Sequence, residues 1–479
     1  MPVRVLPILL GLLLGAVGST SAFDTGYHLD LTAAVMREEG FGETPIKAVQ
    51  VSNWLTDYYA VSPTSKDAVQ DELSKLHFDN LYDRQRVSSY WGWLLHNAEV
   101  AFVQAAESDD PETALSLLGL VLHAVQDFYA HANWVETHPR EDGAPFRRET
   151  WLADGVSDDV DLFTGVYPPS PSPPPPGFPQ HGDYESGLNK DSFIRPLWAE
   201  AYVFAYCASH EILDLVKGWT ERARPGFWNS LQEFKQAPPD LKRLDDDVRA
   251  ARKLSLWVKG KGSDGHWKGD ESGSVRYMSK LTIAWAPSQA SAFVRKIKGG
   301  RLHELLTPNL YSTELPPALP EISPFDDGRR VVVVRTTHVA ETRQGGGRID
   351  STGKADLYSI VQVGDQQYID RTLRKKRSYD DPWLTLHFAE ANEAEIPILI
   401  AVWDEDPANP FDKDQCDINP AEGKSELSLR LRVVDDVLSG DVDGCHNSAE
   451  SSFEVSGQAP DRHRVLFKGY VATQELKAR

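Results

Sequence analysis

His123, Asp127 and His131 recur at intervals of four in the stretch LGLVLHAVQDFYAHANWVE, residues 118–136. On an α-helix that spacing sets all three on one stripe. The background is strongly apolar, so the stripe is expected inside the protein. Burying two imidazoles and a carboxylate there is costly unless something satisfies them. Backbone carbonyls could satisfy the histidines one by one. A divalent metal ion would satisfy the row as a whole, because His and Asp are good Zn2+ ligands and a carboxylate can bridge two ions. From the row alone both readings stand.

Other segments supply more candidates of the same types. FDTGYHLDLT holds His28, NWLTDYYA holds Asp57 and SKLHFDN holds His77. HGDYESGLN holds His181 and Glu185 one helical turn apart. Towards the C-terminus, RIDSTGKADLYSIVQVG holds Asp350 and Asp356, and IAVWDEDPANPFDKD holds Asp404, Asp406 and Asp412. Carboxylates packed that closely repel, and oxygen-only clusters at loop tips suit Ca2+. Solvated acidic loops are the plain alternative.

The elements that must position these groups change character along the chain. At 479 residues it is too long for one ordinary core. Residues 1–22 read as a secretory signal peptide: a short basic start, an apolar run and small residues before Phe23. Residues 23–305 carry apolar positions at three- and four-residue steps and read as helical. Within them GVYPPSPSPPPPGFPQ, spanning a proline-rich loop at 166–180, fits neither helix nor sheet. Residues 306–328 form a proline-rich linker. From 329 to 475, runs such as RRVVVVRTTHV, DLYSIVQVG, IPILIAVWDED and HRVLFKGYV are short and β-rich, which predicts a sandwich. Cys416 and Cys445 could pair, and Cys207 reads as a buried thiol. The net charge of -21 argues against general affinity for nucleic acid or anionic lipid unless a cation bridges.

Taken in order, the N-terminal candidates resemble the zinc-dependent phospholipase C and single-strand nuclease superfamily, in its Het-C-like branch. That resemblance implies a multidomain α and β protein: an all-helical zinc phospholipase C-like domain followed by a sandwich. It also implies two or three zinc ions. Phe23 (backbone amine and carbonyl), His28 and Asp127 would hold one; Asp57, His77, His123 and Asp127 a second; His131, His181 and Glu185 a third. Glu136 and His138 are stand-ins at the third site. Asp57 would also take a proton from a zinc-bound water, which attacks a phosphodiester. The C-terminal segment resembles a C2 domain, SYDDPWLTLHF included. By that likeness Asp350, Asp356, Asp404, Asp406 and Asp412 bind Ca2+. Arg371, Arg374, Lys375, Lys376 and Arg377 would meet anionic lipid, at about 1 kcal/mol each, unless they only protect an edge strand.

The expectation is therefore a secreted, peripherally membrane-associated zinc phosphodiesterase acting on phospholipids, with a phospholipid surface as partner and no specific nucleic acid. A Het-C-like membrane-active effector without catalysis is one alternative. A secreted zinc nuclease is the other; Tyr58, Phe78 and Phe128 could stack bases, but no basic cluster lies near the ligand motifs.

Overall fold

A computed structural model describes residues 25–61, 75–141, 143–154, 160–167, 174–182, 187–235, 258–261, 267–269, 318–325, 328–341, 357–369, 378–390, 392–405, 413–442, 446–447, 452–458 and 464–477. The expected signal segment and Phe23 lie outside these residues.

The helical part contains α1 (Thr25–Glu38), α2 (Glu43–Val61), α3 (Arg84–Glu107), α4 (Pro111–His131), the short α5 (Trp134–Thr137), α6 (Trp198–Ala223) and α7 (Phe227–Gln232). A 3-10 turn, Lys75–His77, precedes α3. The row-bearing helix α4 is the hub, packed by α2, α3 and α6. Its start is fixed by Asp110, whose Oδ1 accepts from Thr113 N at 3.0 Å, and by Pro111 in the first turn. α2 crosses it at Gly119, where a Cβ would stand 2.6 Å from Val49 O and 2.5 Å from Ser52 Cβ. By length and composition α4 could cross a membrane, yet 89% of its most apolar window is buried in the protein, the character of a core helix.

The second part is a sandwich. One sheet runs β12 (His446–Asn447), β13 (Ser452–Ser456), β14 (Val465–Lys477), β4 (Arg330–Glu341), β7 (Ser378–Ala389). The other runs β11 (Val437–Gly440), β10 (Leu427–Arg432), β8 (Ile396–Glu405), β5 (Leu357–Val363), β6 (Gln366–Ile369), with β9 (Lys413–Cys416) also on β8. Burial alternates strictly along β10, as a one-sided strand requires. β4 is different. Val332 and Val334 face the sandwich core, while Val331 and Val333 join the helical core, so its four-valine run is buried on both faces. Leu386 and Phe388 of β7 do likewise, and Phe388 stacks on Tyr206 of α6 with centroids 3.4 Å apart.

The expected order of a helical and then a β-rich region is therefore present, but the N-terminal region is not all-helical. β1 (Phe146–Arg147) pairs in parallel with Leu476 and Lys477 at the end of β14. A hairpin of β2 (Val258–Lys261) and β3 (Trp267–Gly269) follows α7. Two residues docked on a neighbour's open edge leave no periodic signal in the sequence. Cys416 is buried; its suggested partner Cys445 lies outside the described residues.

Candidate metal centre

Two groups of ligand-type side chains converge beside α4. In the first, His28 from α1 and His123 and Asp127 from α4 bring their ligand atoms within 4.8 Å of one another, all buried. In the second, Asp79, His131 and His181 converge as closely, with both histidines buried and Asp79 half-buried. The stripe predicted from spacing thus serves both groups, with His123 and Asp127 turned to one and His131 to the other.

The hydrogen bonds of the imidazoles decide what fits there. Nδ1 of His28 lies 2.6 Å from Gln126 Oε1, and Nδ1 of His123 lies 3.1 Å from Asn53 Oδ1. Nδ1 of His131 lies 2.7 Å from the His77 carbonyl, and Nδ1 of His181 lies 3.0 Å from the Gly182 carbonyl. Carbonyl oxygens only accept, so each Nδ1 carries the proton and a neutral ring turns a lone pair out at Nε2. Those Nε2 atoms face acceptors, and that of His123 also lies 3.1 Å from His77 Nδ1. His28 Nε2 is 3.1 Å from Asp127 Oδ1, and His123 Nε2 is 3.1 Å from Asp127 Oδ2. His131 Nε2 is 3.1 Å from Asp191 Oδ1 and 3.1 Å from His181 Nε2. Lone pairs aimed at carboxylates and at each other repel unless cations sit among them. Zn2+ suits such a nitrogen and carboxylate set, and a second bond from the other ring nitrogen is the usual way a histidine ligand is oriented.

The electrostatics agree. Burial, assisted by neighbouring positive charge at His77 and Lys190, drives His131 down to about 4 despite Asp127. Burial and His131 drive His181 to about 4 as well. Both are therefore neutral ligands at neutral pH. Burial and the nearby Asp127 and Asp191 push Asp79 well above the carboxylate range, the mark of acids crowded together. Burial raises Asp127, but the surrounding His123, His131 and His28 outweigh that and hold it well below its ordinary value.

Backbone strain sets the turn between the groups. Phe78 has φ 51° and Asn80 φ 64°, a left-handed region costly for a bulky residue. Phe78 is held there by packing on Tyr90, Trp91 and Phe128. The turn sends His77 Nδ1 to Asp127 Oδ2, at 2.7 Å, and Asp79 to the second group. Asn53 and Gln126 belong to the same buried network, Asn53 Nδ2 donating to Gln126 Oε1 and Thr32 Oγ1, each at 3.2 Å.

The other expected site residues fall elsewhere. Asp57 lies on α2 one turn after Asn53, with its side chain outside the described set. Glu185, Asp350, Asp356, Asp406, Asp412, Arg371, Arg374, Lys375, Lys376 and Arg377 lie outside the described residues. Asp404 is in β8 beside its end, paired with Leu357 and Asp414. The two stand-ins are used otherwise: Glu136 accepts from Lys190 Nζ at 3.1 Å, and His138 stacks on Trp134. Sequence reasoning passed over Asp79 and Asp191. The signal for Asp79 was its position two residues after His77 in HFDN; Asp191 offered none.

Residues 61–143 match the family model described as the VWA7 N-terminal domain. That stretch contains His77, Asp79, His123, Asp127 and His131. Von Willebrand factor A domain-containing protein 7 of Rattus norvegicus is 32% identical over 187 residues, covering 32% of this chain and 21% of that protein. Its counterpart in Mus musculus is 33% identical over 116 residues, covering 18% and 13%. The match spans about a fifth or less of these relatives' length. Solved structures that resemble the chain include human GIVD cytosolic phospholipase A2, at TM-score 0.21 and 15% identity over 32% of this chain and 17% of that one. A C2 domain of plant Extended Synaptotagmin 1 scores 0.21 at 10% identity, over 32% of this chain and 97% of that one. At such scores the likeness carries no argument about binding.

These findings correct the superfamily expectation. The matching family model and the relatives are of the VWA7 type, not of the zinc phospholipase C, nuclease or Het-C group. They give no support to a secreted zinc phosphodiesterase, and the hydrolase reading with its nuclease and effector alternatives is withdrawn. The physical reason is that a His and Asp row on a helix is a ligand pattern, and a ligand pattern does not specify a reaction.

Proposed function

We propose that this chain is a divalent-metal-binding protein whose helical part takes up zinc in two adjoining centres that hold its core together. The carrying observation is the shared arrangement of four buried imidazoles, Nδ1 tied to a carbonyl oxygen and Nε2 turned towards a carboxylate or another imidazole. His28, His123 and Asp127 would ligate the first ion, with His77 orienting Asp127. Asp79, His131 and His181 would ligate the second, with Asp191 beside them. Five of these six ligands are buried and Asp79 is half-buried, which supports a structural role for the ions. The ions would tie α1, the turn before α3, α4 and His181 together, so that metal affinity becomes folding free energy.

Elemental analysis of the purified chain tests this. Zinc should approach two per chain, one for each group. Asp127→Ala should lose the first ion and His181→Ala the second. Zinc content unchanged in both variants would end the reading.

For the sandwich, the proposal is calcium at the acid-rich segments and a phospholipid surface as partner, supported by the sequence pattern around Asp350, Asp356, Asp404, Asp406 and Asp412. Sedimentation with phosphatidylserine vesicles, with and without Ca2+, should show calcium-dependent capture. Export through residues 1–22 is proposed on the same footing, and N-terminal sequencing of the mature protein checks it.

A further inference from the structure

The joint between the helical part and the sandwich has an ionisable centre of its own, made of groups that ligate no metal in the reading above. α6 carries His210 and Glu211 side by side, both buried. His210 Nε2 is 2.7 Å from Glu38 Oε2, and its Nδ1 is 3.5 Å from Glu39 Oε1. The imidazole lies nearly flat on the ring of Phe325, centroids 4.3 Å apart. Glu38 also pairs with Arg329, the residue before β4, at 3.1 Å. Glu211 Oε2 accepts from Thr150 Oγ1 at 2.6 Å, and its Oε1 from Phe325 N at 3.4 Å. Arg148 Nη1 donates to the Phe325 carbonyl at 2.8 Å. Phe325 is therefore gripped by its N–H, its ring and its carbonyl just ahead of the first strand of the sandwich.

We propose that His210 and Glu211 form a proton-operated clasp, closed when both are protonated, that fastens residues 319–325 and the start of β4 to the helical part.

The facing charges set the direction. Glu38 and Glu39 face His210, with Lys217 and Arg329 close to Glu39. Burial alone would lower His210, but the hydrogen bonds and charges of the two glutamates raise it. Glu211 faces Thr150 and the Phe325 backbone, with Asp154 and Asp214 nearby. Burial pushes it up to about 8 against the help of those two hydrogen bonds, and both aspartates push the same way. Once the clasp opens, Glu211 ionises in the ordinary carboxylate range. Closure therefore weakens as pH climbs from that range to about 8. The part held by His210 is complete below the ordinary imidazole value and is lost as pH rises through its raised one. The two act together: acid closes the joint and alkali opens it.

Hydrogen exchange of the 319–325 peptide in the full chain, corrected for intrinsic rates, tests the clasp. Between about pH 5.5 and about pH 9 its protection should fall about tenfold or more, while β8 keeps its protection. Glu211→Gln, which imitates the neutral carboxyl, should remove the Glu211 share of the loss and leave only the smaller fall that follows His210. Equal wild-type protection at both pH values overturns the proposal whether or not the variant folds. So does parallel loss in β8, or a wild-type pH dependence in Glu211→Gln.

Discussion

The two cores of this protein are built on opposite terms. Along α4 every residue from Leu117 to His131 is buried, His123, Gln126, Asp127 and His131 among them. Along β10 every second residue is buried and each of those is leucine. Most of what the sandwich buries is apolar, worth roughly 1.5–3 kcal/mol for each fully buried large aliphatic side chain, and its buried Asp417 and Asn419 are satisfied by hydrogen bonds within the strands and turns. The helical core encloses groups that lose hydration and gain it back only through one another. An apolar core tolerates changes of solution chemistry, whereas a polar one depends on the ion or network that completes it. The difference places the proposed zinc chemistry in the helical part.

The comparison breaks most decisively at Asp127, which meets His28, His77 and His123 within 3.1 Å. Asp127→Ala leaves three imidazoles facing a void. We expect a loss of about 3–5 kcal/mol, the range for removing one partner of a buried charged group. Chelation of the wild type removes both ions and should cost more in calorimetry than chelation of the variant, which has only the second ion to lose. If chelation destabilises both equally, the first ion lies elsewhere.

The matching change in the sandwich should be blind to metal. Ile400 of β8 is fully buried, set among the strands of the second sheet. Ile400→Ala removes three methyl-scale groups and leaves a cavity, costing roughly 2–5 kcal/mol. Its loss should be the same with and without chelator, and zinc content should stay at the wild-type level. A chelator-dependent cost would show that the cores are coupled through the shared residues Val331, Val333, Leu386 and Phe388.

What the sequence disclosed follows the same division. The row on α4 was legible because its members share one helix, and helix geometry converts spacing directly into proximity. The β-rich texture after residue 329 was legible because alternation and turns are local. Asp79 was not, since its direction depends on the left-handed turn at Phe78, and that turn is held by an aromatic cluster drawn from α3 and α4. Asp191 was not, since nothing local distinguishes it from a surface acid. The four valines of β4 read as a strand, but only packing shows that two of them serve the helical core. The reaction was the least legible of all: His and Asp types declare an affinity for metal, and the phosphodiester was borrowed from a likeness that the VWA7 match displaced.

The smallest effect sharpens the comparison from the other end of the hub helix. Asp110 caps α4 by accepting from Thr113 N, about four turns of helix away from the ligands. Asp110→Ala should cost about 1 kcal/mol, the usual loss for a side-chain N-cap. The ligand end of α4 is fixed independently by α2 crossing at Gly119 and by the network of Asn53 and Gln126. Zinc stoichiometry should therefore be unchanged while the melting temperature falls by a degree or two, about what that energy moves a chain of this size. A variant that loses zinc along with its cap would mean that α4 is held in register from its N-terminus, and that the metal centre depends on local helix stability rather than on the packing around it.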